Sequence, residues 1–218
     1  MVKGTVASPS QERREQEKLA TREKILEAAR EMFNDVGVEA TTMRAIADRI
    51  GYTATAIYYH FKDKDTLLLE LCHRDFSELG RLIAQAGSIK DPIERIRQTG
   101  LAYADFGLEN PSQYTFMFMT HTHPIEPEEV GLDKSNPEES AYAFLQQCVA
   151  DAINEGRIRP ELCENPNHIT NLLWGCVHGI VSLQITKKHD HWVDWGNPRE
   201  LAAVTVDSVI RGITVREQ

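Results

Sequence analysis

The sequence predicts an all-α protein in which a three-helix head precedes a larger helical body. Apolar residues recur at spacings of three and four along almost every segment, which is the period of an amphipathic helix. Glycine, proline and helix-capping residues separate these stretches, and no stretch alternates convincingly as a strand would. With 218 residues, 41% hydrophobic and 26% charged, the chain has the size and composition of a folded globular protein.

The first helices follow directly from this pattern. An apolar stripe runs from about residue 19 to residue 36 and ends at Gly37, which tolerates the positive φ of a helix terminus. Two short helices are predicted near residues 43–50 and 54–60. Asp63 is a credible N-cap for a long amphipathic helix over about residues 64–86.

The remaining helices form the predicted body. They are expected near residues 92–109, 111–119, 138–156, 167–188 and 198–215, and residues 121–137 read as a loop. We therefore divide the chain into a flexible arm (1–18), a small helical head (19–66) and a larger helical body (67–218).

Charge and composition narrow the class of protein. The net charge of −9 lies entirely after residue 66, because the first 66 residues carry 11 basic and 11 acidic side chains. A neutral head permits phosphate contacts, which need local cations rather than a basic protein. The longest apolar stretch, residues 172–185, is interrupted by polar side chains and too short for a bilayer. The N-terminus lacks a secretory signal, and the four cysteines have no metal-binding spacing, so we expect a cytoplasmic protein with reduced thiols.

Residues 41–60 have the pattern of a helix-turn-helix. Thr42 and Thr53 can each cap a short helix, and Gly51 allows the tight turn between them. Two short helices joined in this way can present a recognition helix to the major groove of DNA. The pattern alone is weak, because many all-α proteins contain it.

A longer stretch is specific. Residues 22–69, REKILEAAREMFNDVGVEATTMRAIADRIGYTATAIYYHFKDKDTLLL, strongly resemble the N-terminal domain of TetR-family transcriptional regulators. The match includes the Thr41-Thr42 helix start and the block from Ile57 to Lys64. The resemblance implies a transcriptional regulator that binds a palindromic operator in double-stranded DNA, most often a repressor released by a small molecule.

Eight residues are candidates for DNA contact. Arg44 can reach a guanine edge or a phosphate, and the hydroxyls of the threonines can donate to phosphates or bases. By resemblance, one or both of the phenols of Tyr58 and Tyr59 contact phosphate, and His60 and Lys64 contact the backbone. Capping alone would also explain Thr42 and Thr53. The eight are Thr42, Arg44, Thr53, Thr55, Tyr58, Tyr59, His60 and Lys64.

The body carries a weaker signature. Trp174, His178 and Gly179 resemble the WHG subfamily of such bodies, and Trp174 and His178 share one helix face. They are either packed core residues or part of a site for a largely apolar small molecule. The candidate lining residues are Tyr103, Phe106, Met117, Phe118, Trp174 and His178; Tyr114, Met119, Tyr142 and Phe144 belong to the same wider Met and aromatic set.

The last two helices are the most apolar of the body, so we expect them to join two copies into a homodimer. No motif calls for a cofactor. One alternative is a metal-dependent all-α enzyme using the His121-Thr122-His123 or His189-Asp190-His191 clusters, although neither has the helical spacing of di-metal bundles. The other is a helical interaction module with a vestigial DNA-binding head.

Overall fold

A computed structural model describes residues 9–120, 133 and 135–215, and within them all regular structure beyond an isolated bridge between Ile158 and Thr214 is helical. The prediction of an all-α fold is confirmed. The helices are α1 (Pro9–Val36), α2 (Met43–Arg49), α3 (Ala54–His60), α4 (Lys64–Ala84), α5 (Pro92–Glu109), α6 (Pro111–Phe118), α7 (Ala141–Asn154), α8 (Pro166–Lys187) and α9 (Pro198–Ile213).

The first helix begins earlier than its apolar stripe indicates. The expected start was near residue 19, but α1 begins at Pro9, so the described part of the predicted arm is helical. Its first turns are exposed and carry paired charges one turn apart, such as Arg13 Nε and Glu17 Oε1 at 2.9 Å. Such pairs support a helix that has no apolar face to bury. Most of the predicted loop over 121–137 lies outside the described residues.

The described residues as far as Leu71, with Thr120, form one compact unit. Its turns follow the expected chemistry: Gly37 and Gly51 have φ of 86° and 71°, which a residue with a Cβ adopts only at a cost. The Asp63 carboxylate caps α4 by accepting from the Thr66 backbone N–H at 2.8 Å. The core of this unit includes Ile25, Leu26, Ala29, Phe33, Ile46, Ala47, Ile57, Phe61, Leu67 and Leu68.

The described residues Cys72–Met119 and those after the gap form the second unit. Helix α5 lies at its centre and packs against α7, α8 and α9. Ion pairs bind α5 to its neighbours: Arg97 Nε to Asp207 Oδ1 of α9 at 2.7 Å, and Arg95 to Asp151 of α7 at 2.7 Å. The Arg97–Asp207 pair lies on the rim of this unit, and the Arg95–Asp151 pair is more buried. Both pairs orient the helices, while the apolar core supplies most of the stability.

Helix α8 has two unlike faces. Leu173, Val177 and Val181 are buried in the body core, while Leu172 and Leu183 on another face are exposed. At 22 residues it is the one helix of the described chain that is long and apolar enough to span a membrane by length and composition alone. The helix is longer than the apolar stretch at residues 172–185, because polar residues extend it at both ends. Its packing on α5, α7 and α9 accounts for the apolar residues of the buried face.

The four cysteines all lie in described segments and are free. Cys72 and Cys148 are buried, and burial raises the pKa of these thiols to about 12 and about 11. A thiol that is protonated at neutral pH is a poor nucleophile and metal ligand. Cys72 and Cys148 therefore behave as small apolar side chains.

Candidate functional site

The helix-turn-helix predicted from the sequence is present. Thr42 caps α2 by accepting from the Ala45 N–H at 3.1 Å, and Thr53 caps α3 by accepting from the Ala56 N–H at 3.2 Å. Both hydroxyls also remain exposed, so their protons are available to an external acceptor. Capping and DNA contact are therefore compatible at these two positions.

The outward side of this motif carries exposed polar side chains, and Tyr59 among them also packs edge-on against the His60 ring, with 5.3 Å between the ring centroids. Arg44 of α2 and Thr55 of α3 are exposed, and Tyr58 and Tyr59 are 54% and 76% exposed. Arg44 has no hydrogen bond or ion pair with any part of the chain that the structure describes. By contrast, Arg49 on the same helix pairs with Glu31 at 2.8 Å and Asp35 at 3.7 Å. A cation, a hydroxyl and two phenols that face water are the donors that phosphates and base edges require.

His60 and Lys64 are less available than the sequence indicates. The Lys64 ammonium donates to the Val38 carbonyl oxygen at 2.7 Å. His60 is half-buried, and burial together with the positive charges of Arg22 and Lys18 lowers its pKa. A neutral ring cannot provide the charge of a phosphate clamp, so a backbone contact by His60 would be a neutral hydrogen bond.

Two nearby residues were missed by the sequence interpretation. The side chain of Lys62 is 88% exposed, and its ammonium lies 4.0 Å from the Asp63 carboxylate. Arg22 is structural: it lies over the Phe61 ring at 4.2 Å, donates to the His60 carbonyl at 2.6 Å and pairs with Glu70. Lys62 belongs to the quoted resemblance block, so its position beyond the end of α3 could have identified it.

The body contains a second polar cluster inside apolar surroundings. Three side-chain atoms form a triangle: Tyr114 Oη lies 2.6 Å from His178 Nδ1, Tyr103 Oη lies 2.9 Å from the same nitrogen, and the two phenols are 3.0 Å apart. Burial raises the pKa of Tyr103 to about 12 and raises that of Tyr114 further. Burial also lowers the pKa of His178, so all three groups are uncharged at neutral pH.

Aromatic rings surround this triangle. The centroid of the Phe118 ring lies 4.9 Å from that of Tyr114 and 6.2 Å from that of Trp174. The centroids of the Trp174 and His178 rings are 6.0 Å apart. Phe118 and His178 are half-buried and Trp174 is 36% exposed, so the cluster is partly open to solvent. The structure thus brings together four of the six candidate lining residues.

The other two candidates differ. Met117 is half-buried and packs against the body core, whereas Phe106 is 2% exposed and makes none of the ring contacts of the cluster. Tyr114 was named only in the wider set, yet it makes the shortest hydrogen bond of the cluster, to His178 Nδ1. Its partners lie 11 and 64 positions away in the chain, so no local pattern could have selected it.

The residues that the structure describes include no group of three or more histidine, cysteine, aspartate or glutamate side chains that could hold a metal ion. His189 and His191 fall within them. The His121 and His123 cluster lies outside the described residues.

An all-α chain with a capped helix-turn-helix, exposed donors on it and a separate helical body belongs to the class of DNA-binding transcriptional regulators. Comparison with known proteins identifies the family. Residues 25–71 match "Bacterial regulatory proteins, tetR family", and residues 96–209 match "Tetracyclin repressor-like, C-terminal domain". The chain belongs to the tetR family, and it is therefore a regulator rather than an enzyme. Trp174, His178 and Gly179 predict a WHG-type body, which the second match does not name.

Two curated relatives illustrate the extent of the similarity. The HTH-type transcriptional repressor KstR2 of Mycolicibacterium smegmatis is 31% identical over 148 residues, which cover 65% of this chain and 69% of that protein. The HTH-type transcriptional regulator AcrR of Shigella flexneri is 39% identical over 85 residues, covering 38% of this chain and 40% of that protein. Similarity to the second relative is thus limited to less than half of either chain.

Solved structures share the fold over nearly the whole chain. The ketosteroid transcriptional regulator KstR2 of Mycobacterium tuberculosis covers 99% of this chain and is itself covered completely, with a TM-score of 0.64 at 21% identity. A bacterial regulatory protein in the tetR family from Rhodococcus RHA1 covers 90% of this chain, and 98% of that chain is matched, with a TM-score of 0.72 at 20% identity. At these identities the likeness concerns the fold.

Proposed function

We propose that the protein is a repressor that binds a palindromic DNA operator as a homodimer and is released by a small, largely apolar molecule. The observation that carries the DNA-binding part is the exposed face of α2 and α3, where Arg44, Thr55, Tyr58 and Tyr59 face solvent and Arg44 has no hydrogen bond or ion pair among the described residues. The names of relatives such as KstR2 support repression rather than activation. A bacterial regulator of this kind acts in the cytoplasm.

Arg44 provides the sharpest test of DNA binding. The operator is first selected from genomic DNA with the purified wild-type protein, and its affinity for Arg44→Ala is then measured by gel shift. One good base contact is worth about 1–3 kcal/mol, so two half-sites should lose about 2–6 kcal/mol, which is at least roughly a thirtyfold loss. Arg49→Ala is the matched control, because Arg49 lies on the same helix but is paired with Glu31.

The control variant should bind the operator much as wild type does. Circular dichroism should show that both variants keep their helices. If Arg44→Ala binds the selected operator with wild-type affinity, Arg44 does not read DNA and this assignment of the face is wrong.

The homodimer is supported by an apolar strip that the described residues of a single chain do not fully cover. On α8 this strip contains Leu172, Gly175, Gly179 and Leu183, and on α9 Val204 is 59% exposed. A Cβ added at Gly175 or Gly179 would meet no atom within 4 Å, so these glycines are not required by packing within the chain. They would allow close approach of a partner helix. Two copies of α8 and α9 can form a four-helix bundle across a two-fold axis.

Val204→Glu tests this interface. Burying an unpaired carboxylate is costly, so the variant should sediment as a monomer at micromolar concentration, where wild type sediments as a dimer. Leu19→Glu is the control, because Leu19 is similarly exposed, at 53%, but lies on α1 of the head. A monomeric wild-type protein, or a dimeric Val204→Glu protein, would contradict the proposed interface.

Ligand control is supported by the cluster of Tyr103, Phe118, Trp174 and His178, since apolar walls with a few placed polar groups are typical of small-molecule sites. We include Phe106 and Met117 as its flanking core and keep the WHG-type signature as part of this proposal. Helix α4 contributes residues to both units and could couple them. A ligand must bind the DNA-free state more tightly, and a coupling of about 1–3 kcal/mol lowers operator affinity about 5- to 150-fold.

The test is a screen for molecules that release the selected operator, followed by repetition with Trp174→Ala. Loss of the response in a variant that still folds and still binds DNA supports the site. A variant that responds as wild type does would place the ligand elsewhere.

A further inference from the structure

The hydrogen bonds of the cluster in the body determine which ring nitrogen of His178 carries a proton. The shortest contact of the cluster is the 2.6 Å between Tyr114 Oη and His178 Nδ1. Tyr114 has one proton to donate, and the other acceptor on His178, its carbonyl oxygen, lies farther away at 3.4 Å. We therefore assign the phenol as the donor in this contact, with Nδ1 accepting through its lone pair.

The second phenol is consistent with this direction. Tyr103 O–H donates to Tyr114 Oη at 3.0 Å, and Tyr114 passes its own proton towards Nδ1. If Nδ1 carried the proton instead, Tyr114 would have to donate to the His178 carbonyl oxygen at 3.4 Å, which is a long and weak bond. Because the ring is neutral, its one proton then lies on Nε2.

Nε2 has no hydrogen-bond partner anywhere in the described chain. The His178 ring is half-buried among the rings of Tyr114, Phe118 and Trp174. A donor in such surroundings gains most from an acceptor that comes with an apolar molecule, because water reaches it only in part. Both tyrosines are committed to the triangle, so they hold the ring without competing for that acceptor.

We propose that His178 Nε2–H is the hydrogen-bond donor of the ligand site and selects neutral, largely apolar molecules that bear a carbonyl-type acceptor. This inference rests on the proposed ligand control. Tyr114 is a positioning residue, because it acts through the tautomer of His178. An ammonium compound offers only donors, so it meets Nε2–H without a partner and is rejected. A hydrocarbon of the same shape binds through its apolar surface alone.

The first measurement needs no ligand. Nitrogen-15 NMR of histidine-labelled protein, with the His178 signals assigned by their absence in His178→Phe, identifies the protonated nitrogen. We expect the Nε2–H tautomer in wild type and a shift towards a mixture of tautomers in Tyr114→Phe. A structural role for Tyr114 in packing alone would leave the tautomer unchanged. A protonated Nδ1 in the wild type would overturn the proposal.

The second measurement uses three probes of one shape: 2-acetylnaphthalene, 2-ethylnaphthalene and 1-(2-naphthyl)ethylamine. Their affinities are obtained from Trp fluorescence, and the Nε2 signal is followed in the same titration. One net hydrogen bond should make the ketone bind about two- to tenfold more tightly than the hydrocarbon, and the amine should bind most weakly. In His178→Phe the ketone and the hydrocarbon should bind equally.

Equal affinity of the ketone and the hydrocarbon in the wild type, or failure of the ketone to bind up to its solubility limit, would overturn the proposal. Operator affinity is measured in parallel to separate the two hypotheses. A ketone preference without any change in operator affinity would refute ligand control and leave the recognition by His178 standing. Release of the operator by a compound that leaves the Nε2 signal unchanged would refute recognition by His178 and leave ligand control standing.

Discussion

Gly107→Ala should destabilise the body, because this glycine lies where α5 meets α8 and Tyr114. A Cβ at position 107 would lie 2.5 Å from Val181 Cγ1 and 2.7 Å from Tyr114 Cδ2. Carbon atoms prefer separations of about 3.5–4.0 Å, so each neighbour would have to move by about 1 Å. Val181 is β-branched and Tyr114 is fully buried, and neither can rotate out of the way.

The magnitude follows from two opposing effects. Overpacking a rigid core costs about 1–3 kcal/mol, while replacing a helical glycine by alanine gains about 0.5–1 kcal/mol. With two rigid neighbours in close contact, we expect the free energy of unfolding to fall by about 1–2 kcal/mol. The displaced Tyr114 should also weaken the hydrogen bond to His178.

Urea unfolding followed by circular dichroism measures this change, at one fixed protomer concentration because association also stabilises the fold. Gly212→Ala is the control, since its Cβ would meet no atom within 4 Å and only the helix-propensity gain remains. Gly100→Ala should lie between the two, because its closest contact is 2.9 Å from Val206 Cγ2. A Gly107→Ala protein as stable as Gly212→Ala would refute this reasoning about packing.

Three further predictions concern the cap of α4, the two lysines that follow α3 and the half-buried His178. Asp63→Ala should lower the free energy of unfolding by about 1 kcal/mol, because the carboxylate caps α4 through Thr66; urea titration of Asp63→Asn should show most of that loss restored. Lys62→Met should reduce the salt dependence of operator binding by about one ion, because Lys62 is exposed. Lys64→Met should also destabilise the protein, because Lys64 donates to the Val38 carbonyl oxygen. Equal stability of the two variants would contradict a stabilising role of that contact. Burial lowers the pKa of His178, so the unfolded state takes up its proton first as pH falls, and the free energy of unfolding should decrease below about pH 6.5. His178→Asn should flatten that decrease in urea titrations at several pH values, and an unchanged slope would assign it to other groups.

The helix order and the helix-turn-helix were predictable because their causes are local. Thr42, Thr53 and Asp63 cap helices through backbone N–H groups three residues away, and Gly51 turns the chain by its own φ. Such signals lie within a few positions of the sequence. The start of α1 was misjudged for the same reason: its first turns have no apolar stripe, and only pairs of charges support them.

What the sequence by itself determined is the class of fold, the two capped helices and the exposed residue types on them. Only the tertiary structure decided which candidates are free to act: Arg44 is unpaired among the described residues, while Arg49 on the same helix is paired with α1. It also joined Tyr103, Tyr114 and His178, which lie up to 75 positions apart, into one hydrogen-bonded triangle. The physical reason is that capping depends on neighbours in the chain, whereas the protonation and availability of a side chain depend on whatever the packed helices bring beside it.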